Sequence, residues 1–104
     1  MTPVQTRPIK TEIDTYTTYI TDSFSSLPAV GSVVVVIGGF YGNFATVVVT
    51  DNQGNSYTVI QNPAGDTTMY VAYCVVATSS GTFTVSSANG EPRAAMQLSN
   101  WSAS

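Results

Sequence analysis

Histidine is absent from this 104-residue chain, cysteine occurs once, and only three residues are basic: Arg7, Lys10 and Arg93. Each shortage removes a chemistry. Without histidine there is no Ser-His-Asp or Cys-His nucleophile and no histidine-held catalytic zinc. One cysteine closes no disulfide within the chain and supports no thiolate metal site. Cys74, set between Tyr73 and Val75, is expected to be a small buried hydrophobe. Three scattered cations against six carboxylates offer no patch that would neutralise phosphates, so nucleic acid is not an expected partner. Charged residues make up 9% of the chain, against roughly 25% in ordinary domains. The longest apolar run, Val33 to Ile37, falls far short of the roughly 20 residues a membrane helix needs. The opening Met1-Thr-Pro-Val-Gln-Thr-Arg-Pro8 has no apolar h-region, so no signal peptide is expected there. The chain is expected to derive from inside a longer secreted protein.

What is present is β-rich. Hydrophobic residues reach 43% of the chain, and Ser and Thr stand in for charge on the polar faces. Val, Thr, Tyr and Ile pack well on a pleated, half-buried surface. The length suits one domain with a modest core. Residues 1–10, with Pro3 and Pro8, read as a linker or irregular lead-in, and 11–104 as a single domain. Thr11 to Phe24 reads as a Thr-rich strand with Tyr16, Ile20 and Phe24 in phase. Ser32 to Ile37 is apolar on both faces, as a central strand would be. Gly38-Gly39-Phe40-Tyr41-Gly42-Asn43 reads as a loop. Ala45 to Ile60 reads as a hairpin, two β-rich arms around Asp51-Asn52-Gln53-Gly54-Asn55, with Gly54 supplying positive φ. Thr67 to Ala77 is a strand with Met69, Val71, Tyr73 and Val75 on one face and Tyr70, Ala72, Cys74 and Val76 on the other. Phe83 and Val85 point inward from the next strand. Ala94, Met96 and Leu98 share a face of the last. The count is about seven short strands spaced by turns, which implies an all-β, antiparallel, jelly-roll-like sandwich.

The order Gly31-Ser-Val-Val-Val-Val-Ile37, Val49-Thr-Asp-Asn-Gln-Gly-Asn-Ser-Tyr-Thr58, Met69-Tyr-Val-Ala-Tyr-Cys-Val-Val76, Gly81-Thr-Phe-Thr-Val85 and Met96-Gln-Leu-Ser-Asn-Trp101 resembles a loose family. Its members are jelly-roll β-sandwich modules of bacterial secreted and phage-associated proteins, often found beside glycan-active domains. The likeness spans about residues 30–102, and its distinctive element is D-x-x-G-N-x-Y-T, here Asp51 to Thr58. The chain departs from the family pattern at Asn100, where an acid precedes the closing aromatic, and at Ala103, where a Gly follows. The resemblance implies sugar binding or adhesion.

Several constellations can be weighed from the residues themselves. Paired carboxylates could serve glycoside hydrolysis, but most of Glu12, Asp14, Asp22, Asp51, Asp66 and Glu91 fall in linkers or turns, so no enzyme activity is expected. Asp51, Asn52 and Asn55 surround a Gly with oxygen ligands as a calcium loop would, with Asp66 as a further ligand, although the spacing is not that of an EF-hand. Structural calcium is the one cofactor this pattern allows. Lys10 could form an internal isopeptide with an Asn such as Asn100, and Asn100-Trp101-Ser102 matches a glycosylation sequon. The aromatics are the better lead. Trp101 has the parity of Gln97 and Ser99 rather than of Met96 and Leu98, which places it outward on a regular strand. Trp101, Tyr41 and Phe40 are thus candidate stacking residues for pyranose rings, and Asn43, Gln97 and Asn100 candidate hydroxyl partners. Tyr70, off-phase with the Met69 face, is a weaker one.

The expected function is a secreted or surface-located, non-catalytic carbohydrate-binding module for a neutral polysaccharide. The alternative is a structural or assembly module of a fibre, pilus or stalk that pairs through its strand edges. An immunoglobulin-like domain is disfavoured by the missing cysteine pair.

Overall fold

The protein was analysed as a computed structural model, which describes residues 1–12, 19–41, 46–64, 67–88 and 94–103. Nine strands form among these residues: β1 Thr2–Thr6, β2 Lys10–Glu12, β3 Tyr19–Ser23, β4 Val33–Tyr41, β5 Val48–Asp51, β6 Thr58–Ala64, β7 Thr67–Val75, β8 Thr84–Ala88 and β9 Ala94–Ser102. Sheet A has the order β1-β9-β4-β7-β6, with β2 also lying along β9; sheet B has the order β3-β8-β5. Every pairing is antiparallel. The protein is therefore an antiparallel β-sandwich.

The two strands beyond the expected seven are β1, inside the stretch read as an irregular lead-in, and β2, which starts at the end of that stretch and takes the first residues of the strand expected over Thr11 to Phe24. The last strand, β9, is covered by β4 on one side only. Its other row of N–H and C=O groups needs partners, and Thr2–Thr6 and Lys10–Glu12 supply them. The register shifts between Pro3 and Gln5, a bulge on an edge strand where a missing proline N–H does least harm. The Arg7 amide continues the attachment by donating to the Leu98 carbonyl at 2.9 Å. Its guanidinium lies 3.4 Å from the Asp22 carboxylate and so ties the edge of sheet A to sheet B.

The winding has one centre. Val33 pairs with Val75, and Tyr19 with Ala88, so both pairs are centred on Gln53–Gly54. The chain is a long ribbon folded back at that point and coiled over itself, a jelly-roll-like path. The hairpin expected over 45–60 does not form. Instead β5 pairs with β8 in sheet B and β6 pairs with β7 in sheet A. The two arms face each other across the core, where Tyr57 and Val59 pack against the cluster that contains Val49. Alternation along each arm is the same whether the arms lie side by side or face to face, so the pattern alone favoured the simpler arrangement.

Val33–Tyr41 runs unbroken through Gly38-Gly39, where a loop was expected. Ladders on both sides hold the glycines extended: Gly38 is opposite Tyr70 and Met96, Gly39 opposite Met69 and Ala95. Gly38 also has a steric reason. A Cβ there would sit 2.5 Å from the Ala95 carbonyl oxygen and 2.6 Å from the Tyr70 hydroxyl. The core takes Val34, Val36 and Phe40 from β4, Tyr70, Ala72 and Cys74 from β7, Met96 and Leu98 from β9, and Val49 and Val85 from sheet B. Phe40 stacks on Tyr70 at 5.8 Å, and Phe24 meets Phe83 edge-on at 5.7 Å. Phe83, Val85, Ala94, Met96 and Leu98 all face inward as their parity predicts.

Candidate functional site

The D-x-x-G-N-x-Y-T element builds a knot of hydrogen bonds at the ribbon's fold. Asp51 ends β5, and its carboxylate turns the chain by accepting from the backbone N–H of Gln53 (2.8 Å) and of Asn55 (3.1 Å). It also accepts from the Asn55 side-chain amide (3.0 Å) and the Tyr57 hydroxyl (2.8 Å). Gly54 takes φ 82° between them, a conformation that favours glycine. Three side-chain amides then grip the segment that joins β7 to β8. Asn55 Oδ1 accepts from the N–H groups of Ala77 and Thr78 (2.8 and 3.0 Å), while its Nδ2 also donates to the Thr78 carbonyl. Gln53 exchanges bonds with both backbone groups of Ser80. Asn52 accepts from the Thr84 N–H and donates to the Thr82 carbonyl. An amide offers a donor and an acceptor together, as a strand residue does, so these side chains act as a substitute edge strand.

That geometry answers the calcium reading. The oxygens of Asp51, Asn52 and Asn55 are committed to protein donors rather than turned toward a common centre. Among the described residues no group of three His, Cys, Asp or Glu side chains is placed to hold a metal ion. Asp14, Asp66 and Glu91 lie outside the described residues. Behind the knot, burial drives the Tyr57 hydroxyl well above the usual tyrosine range, and the neighbouring Cys74 and Asp51 push the same way. Burial also raises the Cys74 thiol. The thiol stays protonated at neutral pH and is not a nucleophile. The knot is architecture, not a reactive centre.

The open feature of the molecule is the outward face of sheet A. Because side chains alternate, β4 turns Val35, Ile37, Gly39 and Tyr41 away from the core, β7 turns Met69, Val71, Tyr73 and Val75, and β6 turns Thr58, Ile60 and Asn62. Ala95, Gln97, Ser99 and Trp101 do the same on β9. No described outward residue of these four strands carries a charge. Val75 is 64% exposed, Ile60 62% and Met69 55%. The choice of face reverses the natural guess for β7. Tyr70 with the small Ala72 and Cys74 fills the core, and the larger Met69, Val71 and Tyr73 are left outside.

A groove of about 370 Å³ crosses one end of this face. Gly39, lacking a side chain between Met69 and Ala95 in the neighbouring strands, forms its floor. Ile9, Ile37, Tyr41, Met69 and Gln97 wall it. The Gln97 amide donates to the Arg7 carbonyl at 3.1 Å, which ties down the backbone that leads to Ile9.

The candidate ligand residues separate on this background. Tyr41 and Gln97 come together at the groove. Trp101 faces outward with Gln97 and Ser99, as its parity predicts, but it is half-buried beside Val33 and Pro3 at the far end of β9, with its indole N–H on Ser99 Oγ at 2.9 Å. Phe40 is buried in the core against Tyr70 and presents no ring to a ligand. Asn100 is only 1% exposed and donates to Ser32 Oγ (2.9 Å) and the Val33 carbonyl (3.1 Å). Its amide brackets the core, and the residue lines a second depression of about 510 Å³ with Ser32 and Ser102 while exposing almost none of its own surface. Lys10 lies opposite Met96, four residues along β9 from Asn100, so the isopeptide pair is not assembled. Asn43 falls outside the described residues. No helix among the described residues is long and apolar enough to cross a membrane. Comparison with known protein families, curated proteins and solved structures matches the chain to none of them.

Proposed function

We propose that this protein is a non-catalytic packing module, which contributes the outward face of sheet A to contact with protein in a secreted or surface assembly. One observation carries the reading: Ile37, Tyr41, Ile60, Met69, Val71, Tyr73 and Val75 are all exposed on one face that has no charge among its described residues. Isolated apolar residues on a surface are ordinary, but a contiguous sheet of them signals an interaction site. The mode is face packing rather than the strand-edge pairing first expected. The two end strands of the β1-β9-β4-β7-β6 path each carry a proline, Pro3 in β1 and Pro63 in β6, and proline blunts those edges against strand addition. The test is retention on a hydrophobic-interaction column with Val71→Lys beside the wild type. Strong retention that falls in the variant, with cooperative unfolding preserved in both, is expected. Weak retention of the wild type would sink the reading.

The neutral-polysaccharide reading keeps one specific support, the meeting of Tyr41 and Gln97 in a single groove. The rest of the lining is mainly apolar, with Thr67 the other polar side chain, and one N–H of the Gln97 amide is already donated to the Arg7 carbonyl. Affinity electrophoresis against neutral polysaccharides is expected to show no retardation. Retardation that disappears in Tyr41→Ala would move the assignment to sugar.

A further inference from the structure

We infer that the occupant of the outward face of sheet A is a second copy of this chain, seated sheet to sheet across a two-fold axis. The inference rests on the packing-module reading and names its partner. Area is the first argument. The exposed parts of Ile37, Tyr41, Ile60, Met69, Val71, Tyr73 and Val75 amount to roughly 700 Å², close to the roughly 800 Å² that each partner buries in a standard stable interface. The largest apolar patch on a typical monomer is about 300–600 Å².

Charge selects the kind of partner. A face meeting itself brings every charge against its own like, a penalty that opposes self-association. This face has no charge among its described residues, while the described charges sit elsewhere: Arg7 and Asp22 in their ion pair between the sheets, Lys10 and Glu12 on the β2 edge, and Asp51 in the turn. Apposition of two copies therefore brings no described charge of this face against its like, and no described residue on the face selects an oppositely charged partner.

Shape is the third argument. A two-fold contact uses one patch twice, so that patch must hold both a projection and a recess. Here they lie side by side. The Met69, Val71 and Tyr73 row of β7 stands beside the depression floored by Gly39 and walled by Ala95 on β9. Two such faces at the usual separation of about 10 Å would interdigitate their side chains as the halves of a sandwich do.

Sedimentation equilibrium between about 1 and 100 µM, at two salt concentrations, tests this on wild type, Val71→Lys on the face, and Val48→Lys on the outward side of sheet B. Each substituted position is already exposed, and thermal unfolding checks that each variant folds. The expected wild type is a dimer of the 10.9 kDa chain, undiminished by salt. Val71→Lys should weaken it on the order of 100-fold, because a two-fold interface meets each substitution twice, and Val48→Lys should not. A dimer equally stable in Val71→Lys would overturn the inference, since the contact would lie on another surface. A wild type monomeric at 100 µM that still adheres to the hydrophobic column through Val71 would also overturn it, leaving the packing module with a different partner. A monomer without that adhesion would remove both.

Discussion

The Asp51–Tyr57 turn and the outward face of sheet A are opposites in how completely their chemistry is answered within the chain. At the turn, one carboxylate accepts four hydrogen bonds and three amides grip a neighbouring segment through both their donors and their acceptors. On the sheet face, branched and aromatic side chains are exposed, and no described element lies over them. A motif that looks like a binding loop because it is polar turns out to be satisfied, and a strand that looks like core because it is apolar turns out to be open. The difference separates residues that hold the fold from residues available for contact. Unmet chemistry, not polarity, is what marks the proposed contact surface.

Substitutions can break this contrast at either end. The largest effect is expected from Asp51→Ala, which strands the donors of Gln53, Asn55 and Tyr57 and should destabilise the fold by about 3–4 kcal/mol in chemical denaturation. A loss below about 1 kcal/mol would mean that the turn does not anchor the winding. Asn55→Ala removes the acceptor of the Ala77 and Thr78 amides and is expected to lower stability by about 2 kcal/mol.

Alkaline pH probes the buried side of the same region. Burial raises Tyr57, and it raises Tyr70 to about 12, offset in part by the Ser87 hydroxyl. Both folded values lie above the ordinary tyrosine value of about 10. The folded state therefore keeps protons that the unfolded chain releases, and the stability present below pH 10 is lost as pH rises above it. The decline between pH 10 and 12 should be about 1–3 kcal/mol, read as a falling urea midpoint. A flat midpoint across that range would contradict the buried placement of both rings.

The smallest expected effect lies on the open face. Val71→Lys should change the stability of the monomer by less than about 0.5 kcal/mol, whatever it does to association. A cost near 2 kcal/mol would show that Val71 already packs within the monomer.

Much of the fold was legible because alternation is a strong signal when only one face is apolar. Phe83 and Val85 announce β8, and Ala94, Met96 and Leu98 announce β9 together with the outward parity of Trp101. Where both faces are apolar, as in β4 and β7, alternation locates the strand and says nothing of which side is core. The inward side of β7 is the one on which Tyr70 lies across Gly38 and stacks on Phe40, a close approach that the missing Gly38 side chain permits. Gly38-Gly39 suggested a break because glycine weakens an isolated strand, whereas ladders on both sides sustain this one. Of the candidate site, Tyr41 and Gln97 were found together. Phe40 was misplaced because its segment was read as a loop, whereas Asn100 has the parity of Met96 and Leu98 and so belonged to the core face that the alternation already indicated.

The register centred on Gln53–Gly54 has a kinetic meaning. Three of its strand pairs are nested like parentheses, β4 with β7 inside β3 with β8, and both inside β1 with β9. Each outer closure spans more chain than the one within it, and the entropy of closing a loop falls once its interior is already fixed. Assembly should therefore run from the middle of the chain toward its ends, slowly for its length because nearly every pairing is non-local. The edge strand Thr2–Thr6 would be the last to close and the first to open.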